Sequence, residues 1–165
     1  MAKVPSQKQD VISPISIKVL KKFRLIYGSV RQHFRDVEET CGISGSQLWI
    51  LQEINNLPGI GISQLAERLS IHQSTCSLLV EKLVARKLVV KARSMEDQRR
   101  VGLQMTESTK EILAKAPGPA EGILPKALLA LPEGVLNQLD QSLEALISQL
   151  KLRDDQFADK PLSDI

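Results

Sequence analysis

Between residues 71 and 106 the chain sets small hydroxyl and amide side chains on one helix and gathers cations just beyond it. The helix reads His72-Gln-Ser-Thr-Cys-Ser-Leu-Leu-Val-Glu-Lys-Leu-Val84. On a helical wheel Cys76, Leu79, Val80, Leu83 and Val84 fall on one side. Ser74, Ser77, Leu78, Glu81 and Ala85 fall on the other, with Gln73 in the first turn. Short polar side chains let a helix enter the major groove of duplex DNA, where Gln73, Ser74 and Ser77 can exchange hydrogen bonds with base edges. Thr75 belongs to the flank, as a cap or a phosphate contact. His72 stands at the cap with its ring in reach of a phosphate, and Lys82 adds the first cation. Leu78 is either matched to a thymine methyl or is an exposed leucine.

A basic hairpin follows. Lys91 and Arg93 lie on its outgoing strand, Arg99 and Arg100 on its return. From Lys82 to Arg100 seven basic residues stand against Glu96 and Asp97, whereas the rest of the chain is slightly acidic, within a total of +3. Basicity concentrated on one element points to an anionic polymer as partner. A carboxylate at Asp97 can hold the Arg99 guanidinium in one direction, and a guanidinium suits a narrow minor groove. The alternative is a solvated turn in which Asp97 caps the backbone and pairs with Arg99, an interaction of about 0–1 kcal/mol.

These groups need a scaffold, and the apolar periodicity supplies one. Ile15, Val19, Phe23, Ile26, Val30, Phe34 and Val37 recur at helical spacing, predicting a long first helix over 14–40 with Pro14 in its first turn. Cys41-Gly42 stops it. Ser44 and Gln47 have capping-box spacing ahead of a second helix, broken by Asn55-Asn-Leu-Pro-Gly59. A short third helix, Ile62 to Leu69, precedes the polar helix, which is expected from Gln73 to about Arg86. Strands are expected at 88–92 and 101–105. A helix near 107–116 meets Pro117-Gly118-Pro119, helix resumes over about 120–130, and Pro132-Glu133 opens a last one with Leu136, Leu139, Leu143, Leu146 and Leu150 on one face. The expected organisation is a dimerisation helix at 14–40, a winged helix-turn-helix at 43–106, further dimerisation helices at 107–152 and a flexible tail at 153–165. The fold class is mainly α with a small β-hairpin wing.

Composition excludes more than it selects. The 165 residues contain two cysteines, Cys41 and Cys76, and two histidines, His33 and His72, with no metal-ligand spacing. The reading calls for no cofactor and no metal. Cys76 faces inward; Cys41, beside Gly42, is the better candidate for an oxidant sensor. No apolar run approaches a membrane span of about 20 residues, and the first residues lack a signal-peptide core, so a cytoplasmic protein with no membrane partner is expected. No nucleophile elbow, phosphate loop or paired-carboxylate pattern supports catalysis. Phe23, Tyr27, Phe34 and Trp49 are candidates to line a ligand pocket between the first two helices and the winged domain; filling the core is the simpler role for aromatics at helical spacing.

Gly61-Ile-Ser-Gln-Leu-Ala-Glu-Arg-Leu69, Ser74-Thr-Cys-Ser77, Leu83 with Leu88-Val89, Asp97-Gln-Arg99 and Leu103-Gln-Met-Thr106 together resemble a MarR-type winged-helix regulator. The resemblance covers about 43–113. It implies a homodimer with interlocked first and last helices, recognition helices in successive major grooves of double-stranded DNA, and wings in the flanking minor grooves. It further implies transcriptional control, usually repression, relieved by a small-molecule effector or an oxidant. Gln73, Ser74 and Ser77 would then read bases, and Arg99 would be the wing arginine oriented by Asp97. Three positions depart from the family pattern. Leu78 stands where arginine is frequent, Lys87 where glycine precedes the first wing strand, and Ser108-Thr109 where glycine follows the last wing threonine. These departures motivate an alternative, a winged-helix protein-interaction module with weak or no DNA binding.

Overall fold

The computed structural model describes residues 12–93 and 101–165. The first helix, α1, spans Pro14–Cys41. The Ser13 hydroxyl accepts the Ser16 N–H at 3.2 Å, Pro14 fills the first turn, and Gly42 closes the helix at φ 65° with its N–H on the Glu38 carbonyl. α2 (Gly45–Asn56) starts from the expected capping box: Ser44 Oγ accepts from Gln47 N–H and Gln47 Oε1 from Ser44 N–H. α3 (Ile62–Leu69) turns through Ser70, at φ 53°, into α4 (Gln73–Ala85). Strands β1 (Val89–Arg93) and β2 (Val101–Met105) pair antiparallel, from Val89 opposite Met105 to Arg93 opposite Val101. Then come α5 (Glu107–Lys115), α6 (Ile123–Leu129) and α7 (Glu133–Ile147), followed by short 3-10 turns at Asp155–Asp159 and Leu162–Asp164.

One apolar core binds α2, α3, α4 and the hairpin, with Leu48, Ile50, Leu51, Leu65, Val80, Leu83, Val89 and Leu103 almost fully enclosed. The inward face assigned to α4 is the one buried: Cys76, Leu79, Val80 and Leu83 are inside, and Val84 packs at the edge. Only the C-terminal part of α1 joins this core, through Val37 with Cys41 at its edge; Val30 and His33 are buried just before it. Its earlier apolar residues, from Ile15 to Tyr27, are exposed, as are Val135, Leu146 and Leu150 in or just beyond α7.

Two expectations need correction. Helix was expected to resume at about 120, but α6 begins only at Ile123. Gly122 N–H closes a turn on the Pro119 carbonyl, and Gly122 itself takes φ 95°, which a helix cannot contain. The expected flexible tail at 153–165 is instead folded onto the domain. Its polar composition hid three fixed points, a buried Pro161 and the paired Ser163 and Asp164, both of which meet the first turn of α2.

Candidate nucleic-acid interface

α4 lies across the domain with its polar face open. His72, Gln73, Ser74, Leu78 and Lys82 are exposed, and Thr75 and Ser77 are half-buried. The helix has no side-chain N-cap bond, so no side chain caps its first-turn N–H groups. Leu78 is 66% exposed in the middle of that face. Its isobutyl group is therefore largely open to solvent.

The corner between α4 and β1 is built without glycine. Lys87 takes φ 59°, the left-handed conformation that glycine adopts at lowest cost. So the corner keeps the glycine-type turn although a side chain occupies it. Its carbonyls are then tied down by the residues that replace the second missing glycine's neighbourhood. Thr106 Oγ1 donates to the Lys87 carbonyl at 2.8 Å, Thr106 N–H reaches the Leu88 carbonyl at 3.2 Å, and the buried Thr109 hydroxyl also donates to Leu88. Ser108 shares the cluster, its Oγ 3.0 Å from that of Thr106.

The base of the wing is held against the chain before α3. Gly59 N–H donates to the Leu103 carbonyl at 2.8 Å and Leu103 N–H to the Ile60 carbonyl at 2.9 Å, adding a one-residue third rung to the hairpin. A Cβ on Gly102 would stand 2.5 Å from the Gly59 carbonyl oxygen, so this approach needs the bare backbone. At the other end of α4, Arg86 donates to the Gly42 carbonyl at 2.7 Å, tying α4 to the end of α1.

Lys91 and Arg93 are exposed on β1. Lys91 is not a free cation, because its ammonium pairs with Glu81 on the outer face of α4. The sequence signal for that pair was present in Glu81 facing outward, but the hairpin's register against α4 was not. Asp97, Arg99 and Arg100 lie outside the described residues. His72 also has a partner that sequence reasoning missed: its Nε2 lies 3.1 Å from Asp159 Oδ2, and its backbone N–H donates to the Asp159 carbonyl.

The four aromatics do not converge. Phe34 and Trp49 line a small cavity of about 50 Å³ with Gly45, Pro125 and Pro161. Phe23 sits in a separate apolar groove with Ile15, Val19, Leu20 and Leu146. Tyr27 is largely exposed, with the Arg31 guanidinium 5.5 Å from its ring centre. The Trp49 indole N–H donates to Glu53, which also pairs with Arg68. Burial pushes the Cys76 thiol from its ordinary 9.0 to about 11 and raises Cys41 as well, so neither is held as a ready thiolate. Among the described residues no three His, Cys, Asp or Glu side chains form a metal-binding group, and no helix is long and apolar enough to cross a membrane.

A two-stranded wing directly after a helix-turn-helix, flanked by a long N-terminal helix and three C-terminal ones, is now established. A sequence model of the MarR family matches residues 42–100, the span from the α1 stop to the wing. Residues 42–100 are thus similar to the MarR family. Among curated relatives, a putative transcriptional regulatory protein for the hcr operon of Thauera aromatica is 33% identical over 85 residues, 52% of this chain and 51% of that protein. The HTH-type transcriptional repressor MdtR of Bacillus subtilis is 21% identical over 82 residues, 50% of this chain and 53% of that protein. The chain thus spans about half the length of the curated relatives it matches. Likeness of fold extends further. The S. aureus MepR–DNA complex superposes with a TM-score of 0.53 over 85% of this chain and 98% of that one, at 16% identity. The likeness of fold therefore extends to the outer helices, which the sequence match does not reach.

Proposed function

We propose that the chain is a sequence-specific regulator of transcription that binds double-stranded DNA as a homodimer on an inverted-repeat operator, most simply as a repressor. The observation that carries this reading is the open polar face of α4, with Gln73, Ser74, Thr75 and Ser77 presented beside the basic hairpin. Regulatory names among the relatives, one of them a repressor, and the DNA complex of a protein of like fold support it. The homodimer is supported by the exposed apolar residues of α1 and α7, which a monomer would leave in water. No residue of the chain points to catalysis.

Release by a small-molecule effector is part of the proposal, but the cavity beside Phe34 and Trp49 is small. A drug-sized ligand needs about 300–1,000 Å³, far more than the 50 Å³ beside Phe34 and Trp49. An effector that releases DNA therefore needs a larger site, and the open apolar groove lined by Phe23, Val19 and Leu146 offers about 430 Å³.

A second reading, an interaction module with little DNA affinity, is favoured by two observations. Leu78 projects from the centre of the recognition face, and Glu81 neutralises Lys91. Selection of bound duplexes from a random pool at near-physiological salt separates the two. An enriched inverted repeat is expected. With Arg99→Ala, binding should weaken most at sites flanked by narrow A·T-rich minor grooves. A folded dimer that enriches no sequence would overturn the regulator reading in favour of the module.

A further inference from the structure

The segment after α7 does two things at once, at opposite ends of a short span. One end is docked in the cleft that Phe34, Gly45 and Trp49 help to line. There Pro161 is buried, Ser46 N–H donates to Ser163 Oγ at 3.0 Å, and Ser46 Oγ donates to Asp164 Oδ1 at 3.0 Å. Ser46 lies in the first turn of α2, whose N–H groups have no partner within the helix. Gly45 permits this approach: a Cβ there would stand 3.3 Å from Ser163 Cβ and clash with the Phe34 ring. The other end brings Asp159 to the start of α4, with its carboxylate on the His72 imidazole and its carbonyl on the His72 N–H. Residues 153–165 hold four aspartates against Arg153 and Lys160.

We propose that this segment is a tethered occupant of the α2 cleft that holds the Asp159 carboxylate against the start of the recognition helix, where it competes with DNA phosphate. The inference rests on the DNA-binding reading of α4. The start of a recognition helix must come close to the DNA backbone for its first residues to reach base edges. An anion fixed there repels phosphate and occupies the His72 ring nitrogen that would otherwise be open to it. The segment's hold is modest: one buried proline, a few hydrogen bonds and one exposed contact between Asp159 and His72. That suits a reversible lock, since a strongly docked segment could not be displaced by a duplex. Competition is reciprocal, so whatever releases the segment tightens DNA binding and DNA releases the segment. A ligand that fills the cleft in place of Pro161 would therefore strengthen binding to DNA, not weaken it.

The test uses the full chain, a Ser163→Ala/Asp164→Asn variant that loosens the α2 anchor far from the DNA face, and Asp159→Asn, which removes only the charge. Trp49, the single tryptophan, lines the cleft and reports docking by its emission. Duplex affinity is read by fluorescence anisotropy on a selected duplex at fixed salt. The expected result is that both variants bind at least about fivefold tighter than the full chain, at the lower end of typical couplings. Trp49 emission should change in the anchor variant, and added duplex should shift the full chain's emission the same way. A changed emission with unchanged or weaker affinity would overturn the competition. Emission identical in the full chain, the anchor variant and a chain lacking 153–165 would overturn the docking. Docking intact by Trp49 but no duplex bound by any variant would overturn the DNA-binding reading itself, and is distinguishable because it leaves the emission result standing.

Discussion

Replacing Gly102 by alanine tests how the wing is fixed to the helix-turn-helix. The added Cβ would stand 2.5 Å from the Gly59 oxygen, 2.8 Å from its Cα and 2.9 Å from its carbonyl carbon. All three are backbone atoms, so no side-chain rotation relieves the clash. To regain an ordinary contact near 3.5 Å the two segments must part by roughly 1 Å. The hydrogen bonds Gly59 N–H to Leu103 O and Leu103 N–H to Ile60 O span that gap. Each contributes about 1 kcal/mol net, and Ile60 and Leu103, both buried, lose part of their packing as well. The expected loss is about 2–4 kcal/mol, within the range for overpacked backbone contacts. At about 2–4 °C per kcal/mol for a chain of this size, the melting midpoint should fall by about 5–15 °C. Urea titration and thermal melting at one fixed protein concentration measure it, because association shifts both. Gly134→Ala is the control: nothing lies within 4 Å of its added Cβ, so stability there should hold or rise slightly. A Gly102→Ala chain within about 0.5 kcal/mol of wild type, with an unchanged urea slope, would refute the reasoning.

Three further outcomes are expected. Lys87→Gly should stabilise the chain by about 1 kcal/mol or less, since the left-handed cost of a side chain is only partly offset by glycine's looser unfolded state; Lys87→Ala should bring no gain in the same urea titration. Leu143→Glu with Leu146→Glu should yield a folded monomer by sedimentation and abolish operator binding, whereas a surviving dimer would place the interface away from α7. Cys76 should resist thiol reagents at neutral pH, while the less enclosed Cys41 reacts first. With the folded-state thiol at about 11 against 9.0 when unfolded, its contribution to stability is constant below pH 9 and is lost as pH rises toward 11. Cys76→Ala should flatten that alkaline decline.

What the sequence made legible was what repeats or caps. The bounds of α3 and β2 follow from apolar spacing and turn residues, and the capping box of α2 from Ser44 and Gln47. The inward face of α4 follows from its period, so Gln73, Ser74 and Leu78 were placed on the outer face from residue order alone. Contacts distant in sequence were not legible. Glu81 and Lys91 meet only because β1 folds back over α4, and Asp159 reaches His72 across most of the domain. Nor does a polar string such as Lys160-Pro-Leu-Ser-Asp164 announce docking, because its affinity comes from α2's unpaired N–H groups and from the space left by Gly45. The aromatics misled for a related reason. Helical spacing gives a face but not a depth, and α1 is buried only from Val30 onward, which separates Phe23 and Tyr27 from Phe34.

The Arg86 bond to the Gly42 carbonyl has a mechanical side. α1 has 28 residues, so at about 1.5 Å per residue it is a rod of roughly 40 Å, seated in the core at one end and met farther along by α6 and by Leu146. Its seat shares a joint with the recognition helix. A tilt of about 5° at that joint sweeps the far end of such a rod through about 3–4 Å, enough to change which apolar side chains of a facing subunit it meets. Run in the other direction, leverage works against error: coarse shifts between subunits at the far end become fine rotations of α4. A pair of chains joined along these rods would thus set the angle of its reading heads with a precision that the joining surface itself does not possess.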